Sequence, residues 1–479
     1  MAPAITFAGI ASGIDTNGLI DATSEAARAT RVKPSEKKVT ELEETNAAID
    51  DLSSKFDSIR TILGSFNSLA GGGVSKTATS SKESSFTATA TNAAANGSYS
   101  IEVTSVAKGG IYSFGPTSGA PAGQPATYTS PTQTLVTGGA GPTATPITFT
   151  IGTETVTIPA SGGYNTNTKT ITDFVNDFNA ASSFAEATLV NIGGGADPDN
   201  YKIVISSIYE GTQKGSIAKT SADTWMTPNT DAATATDAKI KITGIASGAT
   251  TITRTTNSFS DVIPGVTITT VATGTAGTLK ISEDSATTSS KVQEFIDQFN
   301  EIVTFISENN LISRQETSTT IENIFAPLAS SRTDDSALAA VKSVLSSTTA
   351  SSGVAIRIFS DLGITTERDG TLKFDTTKFA SAVAKEPSSV SSILQSFADT
   401  VGNTGGTIDI YTRFNGMFDM VTNGNKSQIT NLNSRIADAE RSIERQADDM
   451  RARFARLESL MGKLQQQQQS LTSALSGLG

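Results

Sequence analysis

The chain of 479 residues is acidic, with 36 Lys and Arg against 47 Asp and Glu, and it contains no Cys, no His and a single Trp. Without Cys there are no disulfide staples, thiol chemistry or Cys-ligated zinc, and without His the commonest general base and the usual hydrolase triad are missing. A net charge of −11 argues against a nucleic-acid surface, and no apolar run approaches a membrane span, so neither nucleic-acid binding nor membrane insertion is expected.

The opening Met1-Ala-Pro-Ala-Ile-Thr6 lacks the basic region and apolar core of a secretory signal, which on its own reads as cytoplasmic. Gly9, Gly13 and Gly18 hold back any helix before about residue 19, so residues 1–35 read as a flexible leader. The Gly9/Gly13 spacing has no apolar 20-mer around it, and no Walker lysine follows. Pro34 then marks a helix start, with Glu36 in its first turn. Over residues 36–69, Leu42, Ile49, Phe56 and Leu63 recur every seven positions, and Leu52, Ile59 and Phe66 stand three further on. That is a long amphipathic helix, ended by Gly71-Gly-Gly73.

The pattern then turns to β. Phe86 to Lys108 alternates, with Tyr99, Ile101 and Val103 on one face and Asn96-Gly97 as a hairpin turn. Short strands are expected at 147–151, 155–158, 185–190 and 201–206, and a capping-box helix from Thr170 and Asp173 buries Ile171, Phe174, Val175 and Phe178. The loop Gly193–Asn200 carries carboxylates that could ligate Ca²⁺, but as a single copy it reads as a plain turn. Further strands fall at 238–243, 251–254, 266–271 and 279–282, giving material for two β domains between residues 74 and 284.

Helix returns at Ser290, with Gln293 as its capping-box partner and Val292, Phe295, Ile296, Phe299, Ile302, Val303 and Ile306 as one stripe. Asp335 reads as the cap of the next helix. Asp361, Asp369 and Asp375 read as turn carboxylates around short strands, and helices follow over 379–383 and 390–397. No residue is a candidate catalyst, and no cofactor or metal is expected.

From Ile429 an apolar residue recurs every seven positions through Ile436, Ile443, Met450, Leu457, Leu464, Leu471 and Leu478, beside a looser stripe containing Ala447, Phe454, Leu460 and Leu475. A seven-residue period keeps one seam on one helix face, which must be buried against another helix. At about 1.5 Å per residue that helix is roughly 75 Å long, too long for one compact core. Its natural partner is the 36–69 helix. The seam residues are therefore Leu42, Ile49, Phe56 and Leu63 at one end of the chain and Ile436, Ile443, Met450, Phe454, Leu457, Leu464 and Leu471 at the other. Each end alone is mostly polar, and folding is expected on assembly. The order helix, β insertion, helix makes an α+β multidomain protein whose ends converge.

Several blocks resemble the flagellar filament cap, the hook-associated protein 2 family. Gly9-Ile-Ala-Ser12-Gly13-Ile-Asp15 with Gly18-Leu-Ile20 is similar to its opening signature. Gly97–Thr104, Arg254–Asn257 with Asp261–Thr267, Phe295–Asn300, and Leu362–Ile364 with Asp369–Leu372 and Asp375 resemble further blocks, in collinear order. Thr172–Asn179 is similar to a short helix shared with flagellins, whereas residues 109–165 match nothing recognised.

The resemblance implies a ring-shaped homo-oligomer at the distal filament tip that promotes folding and insertion of flagellin. It implies contact with hook–filament junction proteins and a type III export chaperone, and an extracellular site reached without a cleaved signal. It also implies four parts. These are a terminal coiled-coil leg (1–41 and 429–479), a helical domain (42–82 and 285–428), a β-rich domain (83–107 and 233–284) and an outer β-rich insertion (108–232). Other readings are another axial flagellar protein, junction-like or flagellin-like, and a secreted adhesin binding host or surface glycans. The adhesin would need aromatic platforms, and the insertion offers Tyr112, Phe114, Tyr128, Tyr164, Tyr201, Tyr209 and Trp225.

Overall fold

In the computed structural model, which describes residues 15–114, 127–136, 146–159, 163–194, 199–221, 232–246, 248–316 and 321–476, helix begins at Thr16. This corrects the expected leader. Helix α1 (Thr16–Arg31) opens on Asp15, whose carboxylate accepts the Gly18 N–H at 2.9 Å. Helix α2 (Lys33–Leu63) follows after the single residue Val32. Pro34 accounts for the break, since it has no N–H and its ring crowds the carbonyl four residues back. A cap and a distant partner outweigh the glycine cost, and only the cap is local.

By its contacts the chain falls into two units, Met1–Leu69 with Ala286–Gly479, and Ala70–Ser285. The second unit opens with β1 (Lys76–Ser80), β2 (Phe86–Ala90), β3 (Gly97–Ser105) and β4 (Ile111–Phe114). Then come β5 (Ile147–Ile151), β6 (Glu154–Ile158), α3 (Ile171–Ala181), β7 (Ala185–Asn191), β8 (Tyr201–Ser207), α4 (Gly211–Gly215) and β9 (Ile217–Lys219). It closes with β10 (Ala238–Ala246), β11 (Gly248–Arg254), β12 (Ser258–Ile263), β13 (Val266–Thr270) and β14 (Gly274–Glu283).

Two cores result. An antiparallel sheet in the order β1-β14-β3-β10-β11 and a smaller one, β12-β13-β2, enclose Phe86, Ile101, Val103, Ile240, Ile242, Phe259, Ile268 and Leu279. Register puts Ile242 and Gly277 on either side of Ile101, so the returning chain closes around the strand from which it departed. The other core is aromatic. Sheets β4-β8-β7 and β6-β5-β9 with α3 bury Phe114, Tyr128, Phe149, Phe174 and Phe178, and Phe174 meets Phe114 edge to face at 5.3 Å. The capping box on α3 is complete, Thr170 Oγ1 accepting from Asp173 N at 3.1 Å and Thr170 N donating to Asp173 Oδ2 at 2.9 Å.

Asn96-Gly97 does not form the expected hairpin, because β2 and β3 lie in different sheets. The Asn96 side chain instead joins Glu283 and Lys76 at the edge of the larger sheet, and β2 takes β13 as its neighbour. Of the Gly193–Asn200 loop, residues 195–198 lie outside the described residues; Asn191 Oδ1 accepts the Gly193 and Asn200 N–H groups, both at 2.9 Å.

The first unit continues with α5 (Ser285–Asn309), the hairpin β15 (Ile312–Glu316) and β16 (Ile321–Phe325), and α6 (Thr333–Ser347). A second short hairpin, β17 (Ile364–Thr366) and β18 (Leu372–Phe374), precedes α7 (Thr376–Lys385), α8 (Pro387–Gly402), α9 (Thr407–Thr412) and α10 (Met417–Ser476). Phe397 of α8 packs edge to face on Phe295 at 5.4 Å and on Phe359 at 5.2 Å. Three helix starts differ from expectation. Helix α5 opens at Ser285 rather than Ser290, and Gln293 bonds Asp297 at 2.8 Å instead of capping. Helix α6 opens at Thr333, which places Asp335 inside its first turn. Helix α10 opens at Met417 and runs unbroken for 60 residues, about 90 Å.

Candidate assembly seam

Helices α1 and α2 both pack against α10. Three contacts fix their direction. Phe56 meets Phe418 at 6.0 Å between ring centroids, Asn46 Oδ1 accepts from Asn425 Nδ2 at 2.9 Å, and Arg28 Nε reaches both Glu440 carboxylate oxygens at 3.0 Å. As the first partner runs backward the second runs forward, so the N-terminal pair lies antiparallel to α10. The Arg28–Glu440 pair is well exposed and contributes little energy; its value here is as a register mark.

This register divides the seam. Leu42, Ile49, Phe56 and Leu63 are all buried, but Phe56 meets the first turn of α10 and Leu63 lies against Gly402 at the end of α8, so the four do not cover the 436–471 stripe. It is α1 that covers the next stretch of α10, where Ile443 and Ala447 are buried opposite the level of Ile20, itself 1% exposed. Ile436, Met450 and Phe454 are partly covered. Beyond the level of Thr16, the first residue of α1, the stripe opens to solvent. Leu457 is 50%, Leu464 56% and Leu471 67% exposed, and Leu460 and Leu475 accompany them. A run of leucines on one face of a polar helix is unlike the scattered apolar residues of an ordinary surface. Gly9, Ser12, Gly13 and Leu478 lie outside the described residues, and Asp15 is the cap of α1.

The motif blocks turn out to hold the fold together rather than to form a cleft. Asn257 lies across from Ala107: its Oδ1 accepts the Ala107 N–H at 2.8 Å, its Nδ2 donates to the Ala107 carbonyl at 2.9 Å, and Thr270 Oγ1 donates to Oδ1 at 2.8 Å. Asn300 does the same for Leu372, accepting its N–H at 2.6 Å and donating to its carbonyl at 2.9 Å. Asp361 accepts the Arg357 and Ile358 N–H groups, Asp369 accepts from Thr371, and Asp375 caps α7 by accepting from Lys378 N at 2.9 Å. Sequence reasoning missed Asp409, buried and paired with Arg60 at 3.2 Å while it accepts Gly405 N–H at 2.8 Å. It also missed Ile20, because the helix carrying it was read as a leader. Among the described residues no helix is long and apolar enough to cross a membrane.

A sequence profile described as flagellar hook-associated protein 2 N-terminus matches residues 12–109, and one described as the C-terminus of the same protein matches residues 235–466. The chain is 26% identical over 227 residues to the B-type flagellar hook-associated protein 2 of Pseudomonas aeruginosa, covering 46% of this chain and 47% of that one. It is 25% identical over 220 residues to the lateral flagellar hook-associated protein 2 of Vibrio parahaemolyticus, with 45% and 47% covered. The matches thus span about half the length of these curated relatives. The fold is similar to the crystal structure of the D1-D2-D3 domains of the flagellar cap protein FliD from Escherichia coli, with a TM-score of 0.56 and 18% identity over 79% of this chain and 99% of that one.

Proposed function

Because the chain belongs to the flagellar hook-associated protein 2 family, we propose that it caps the distal tip of a bacterial flagellar filament. In this reading copies of the chain form a ring, and flagellin delivered through the filament folds and inserts beneath it. The family is one of structural flagellar proteins, and the chain's role is mechanical. The observation that carries the reading is the match to both ends of one family, residues 12–109 and 235–466, in a chain whose ends are the helices that pair.

The open stripe at Leu457, Leu464 and Leu471 supports a leg that finishes its burial only on assembly, against neighbouring copies or the filament end. Residues 1–41 and 429–479 would be that leg, 42–82 and 285–428 the helical body, and 83–107 with 233–284 and 108–232 the two β parts. A closed ring needs head-to-tail contacts, each copy offering a different surface to each neighbour. Contacts with hook–filament junction proteins and an export chaperone, and type III export to the cell exterior, complete the proposal.

Deleting the gene tests it. Electron micrographs of bare hooks, with monomeric flagellin in the medium and filaments restored by the wild-type gene, are the expected result. Normal filaments on the deletion strain would refute it.

A further inference from the structure

Helix α9 ends in a tight turn that pushes one aromatic side chain into solvent. Phe414 is 87% exposed, and Met417 and Met420, close behind it in the chain, are 42% and 68% exposed. An ordinary surface scatters such residues singly, whereas a ring, methionines and an arginine together have the composition of a docking patch. The turn is also held in shape. Asn415 adopts a left-handed φ of 57°, its N–H donates to Asp419 Oδ2 at 2.9 Å, and Gly416 N–H donates to the Arg413 carbonyl at 2.7 Å. Left-handed backbone is unfavourable for a residue with a side chain and persists where its surroundings enforce it. Thr412 Oγ1 fastens the turn to Asp57 of α2 at 3.0 Å. Phe414 is thus presented rigidly, beside an exposed Arg413 that has no ion pair among the described residues.

The same compact unit carries a groove of about 430 Å³ between α2, the segment that follows β16 and the start of α10. Leu42, Phe325, Ala326, Pro327 and Val421 give it an apolar lining, and Phe325 is 56% exposed. Thr45 Oγ1 donates to the Pro327 carbonyl at 2.8 Å, which fixes one wall against α2. Of the charged residues on the rim, Lys38 pairs with Glu41 at 3.0 Å and Lys37 is engaged as well. Glu44 is left as an exposed carboxylate with no ion pair among the described residues.

The geometry points to a contact between copies of this chain, in which Phe414 of one copy enters the groove of the next and Arg413 meets Glu44. Three features select a second copy as the occupant. A groove of this volume accommodates a phenyl side chain, and the ring gains apolar cover that its own chain does not give it. The unpaired charge beside the ring is opposite to the unpaired charge on the rim. Knob and groove are also different surfaces, as the head-to-tail contacts of the proposed ring require, and in this the inference rests on the capping reading. The contact uses the first turns of α10 and leaves the leucine stripe at its far end for the leg.

Because the chain has no Cys, cross-linking of the full-length protein through introduced cysteines tests this cleanly. The double variant Arg413→Cys with Glu44→Cys, treated with a short bismaleimide, should give a ladder of dimers, trimers and higher species on a denaturing gel. Either single variant should stay monomeric there, because like positions do not meet in a head-to-tail contact. In sedimentation equilibrium Phe414→Ala should weaken self-association about tenfold. Arg413→Glu and Glu44→Arg should each weaken it about fivefold, and together they should restore it to within about twofold of wild type. All three side chains are exposed, so these variants should melt like wild type. A double-cysteine variant that yields no cross-linked product would overturn the contact. Products that stop at dimer would do the same, since a reciprocal pair closes after two copies. Unchanged self-association in Phe414→Ala would also contradict it. The capping reading fails separately: normal filaments on the deletion strain would remove that role and leave the ladder standing, whereas bare hooks without a ladder would sink this contact alone.

Discussion

Asn257 and Asn300 each imitate a strand neighbour, offering one acceptor and one donor to a single backbone residue far away in sequence. Aspartate cannot donate and alanine can do neither, so these positions demand asparagine. Asn257→Ala leaves the Ala107 N–H and carbonyl unpaired beside a core that buries Ala107 to 3% exposure. At about 1–3 kcal/mol per stranded group, the β unit should lose roughly 3 kcal/mol, read as a lower urea midpoint with unchanged slope. Both asparagines stand inside blocks that resemble the family, yet their task was not legible. It depends on partners 150 and 72 positions away.

Glu154 is a second residue-scale device. Burial works to raise its carboxyl, but hydrogen bonds outweigh it and hold the group below the usual range. These come from Ser183 Oγ at 2.7 Å, Ser183 N at 2.8 Å, Ser182 Oγ at 2.8 Å and Phe184 N at 3.2 Å. A carboxylate whose value is depressed by folding lends stability above its unfolded value and loses it as the pH falls through the folded one. The aromatic core should therefore weaken as the pH drops below about 4.5, the ordinary glutamate range. Glu154→Gln should start less stable at neutral pH and show a flatter acid limb in a pH series of thermal melts. An identical acid limb in the variant would contradict this.

At the scale of elements, the apolar period was legible, whereas how far it is covered, and the share that α1 takes, were not. The apolar period runs from Ile429 onward without distinguishing Ile443, which is 2% exposed, from Leu464, which is 56% exposed. Periodicity states that residues share a face, but what covers that face is a matter of tertiary register. Here Arg28 opposite Glu440 and Asn46 opposite Asn425 mark it, and α1 decides where cover ends. The hairpin misread at Asn96-Gly97 has a similar cause. The turn dipeptide is real, but Glu283 and Lys76 use its asparagine and β13 claims β2.

Two variants separate the halves of the seam. Ile443→Ala should cost about 3 kcal/mol and speed hydrogen exchange in α1 and the facing part of α10. Leu464→Ala should change the stability of the isolated chain by less than about 0.5 kcal/mol, since its side chain is already in solvent. Its effect should appear instead as weaker self-association in sedimentation equilibrium. Equal loss of stability from the two would mean that the stripe beyond Phe454 is covered within one chain.

For the whole molecule, composition excluded more than it specified. Its interior polar groups serve geometry, as the buried Asp409 and the part-buried Asn257 do. A β-rich stretch between residues 74 and 284, set between helical segments, was legible from the switch between periods of seven and two, and the second compact unit spans Ala70–Ser285. The division of that insertion into an aliphatic and an aromatic core was less so, since Phe114, Phe149 and Phe174 converge from separate strands and a helix.

The most direct measurement is complementation of a cap-deletion strain with the triple variant Leu457→Asp, Leu464→Asp and Leu471→Asp, scored by counting filaments in electron micrographs. The variant should fold and be secreted like wild type, because these side chains are exposed in the chain itself. It should nonetheless leave hooks bare and flagellin in the medium, because the stripe could no longer be buried on assembly. Full-length filaments at wild-type number would contradict the claim that this open seam is the surface through which the cap assembles.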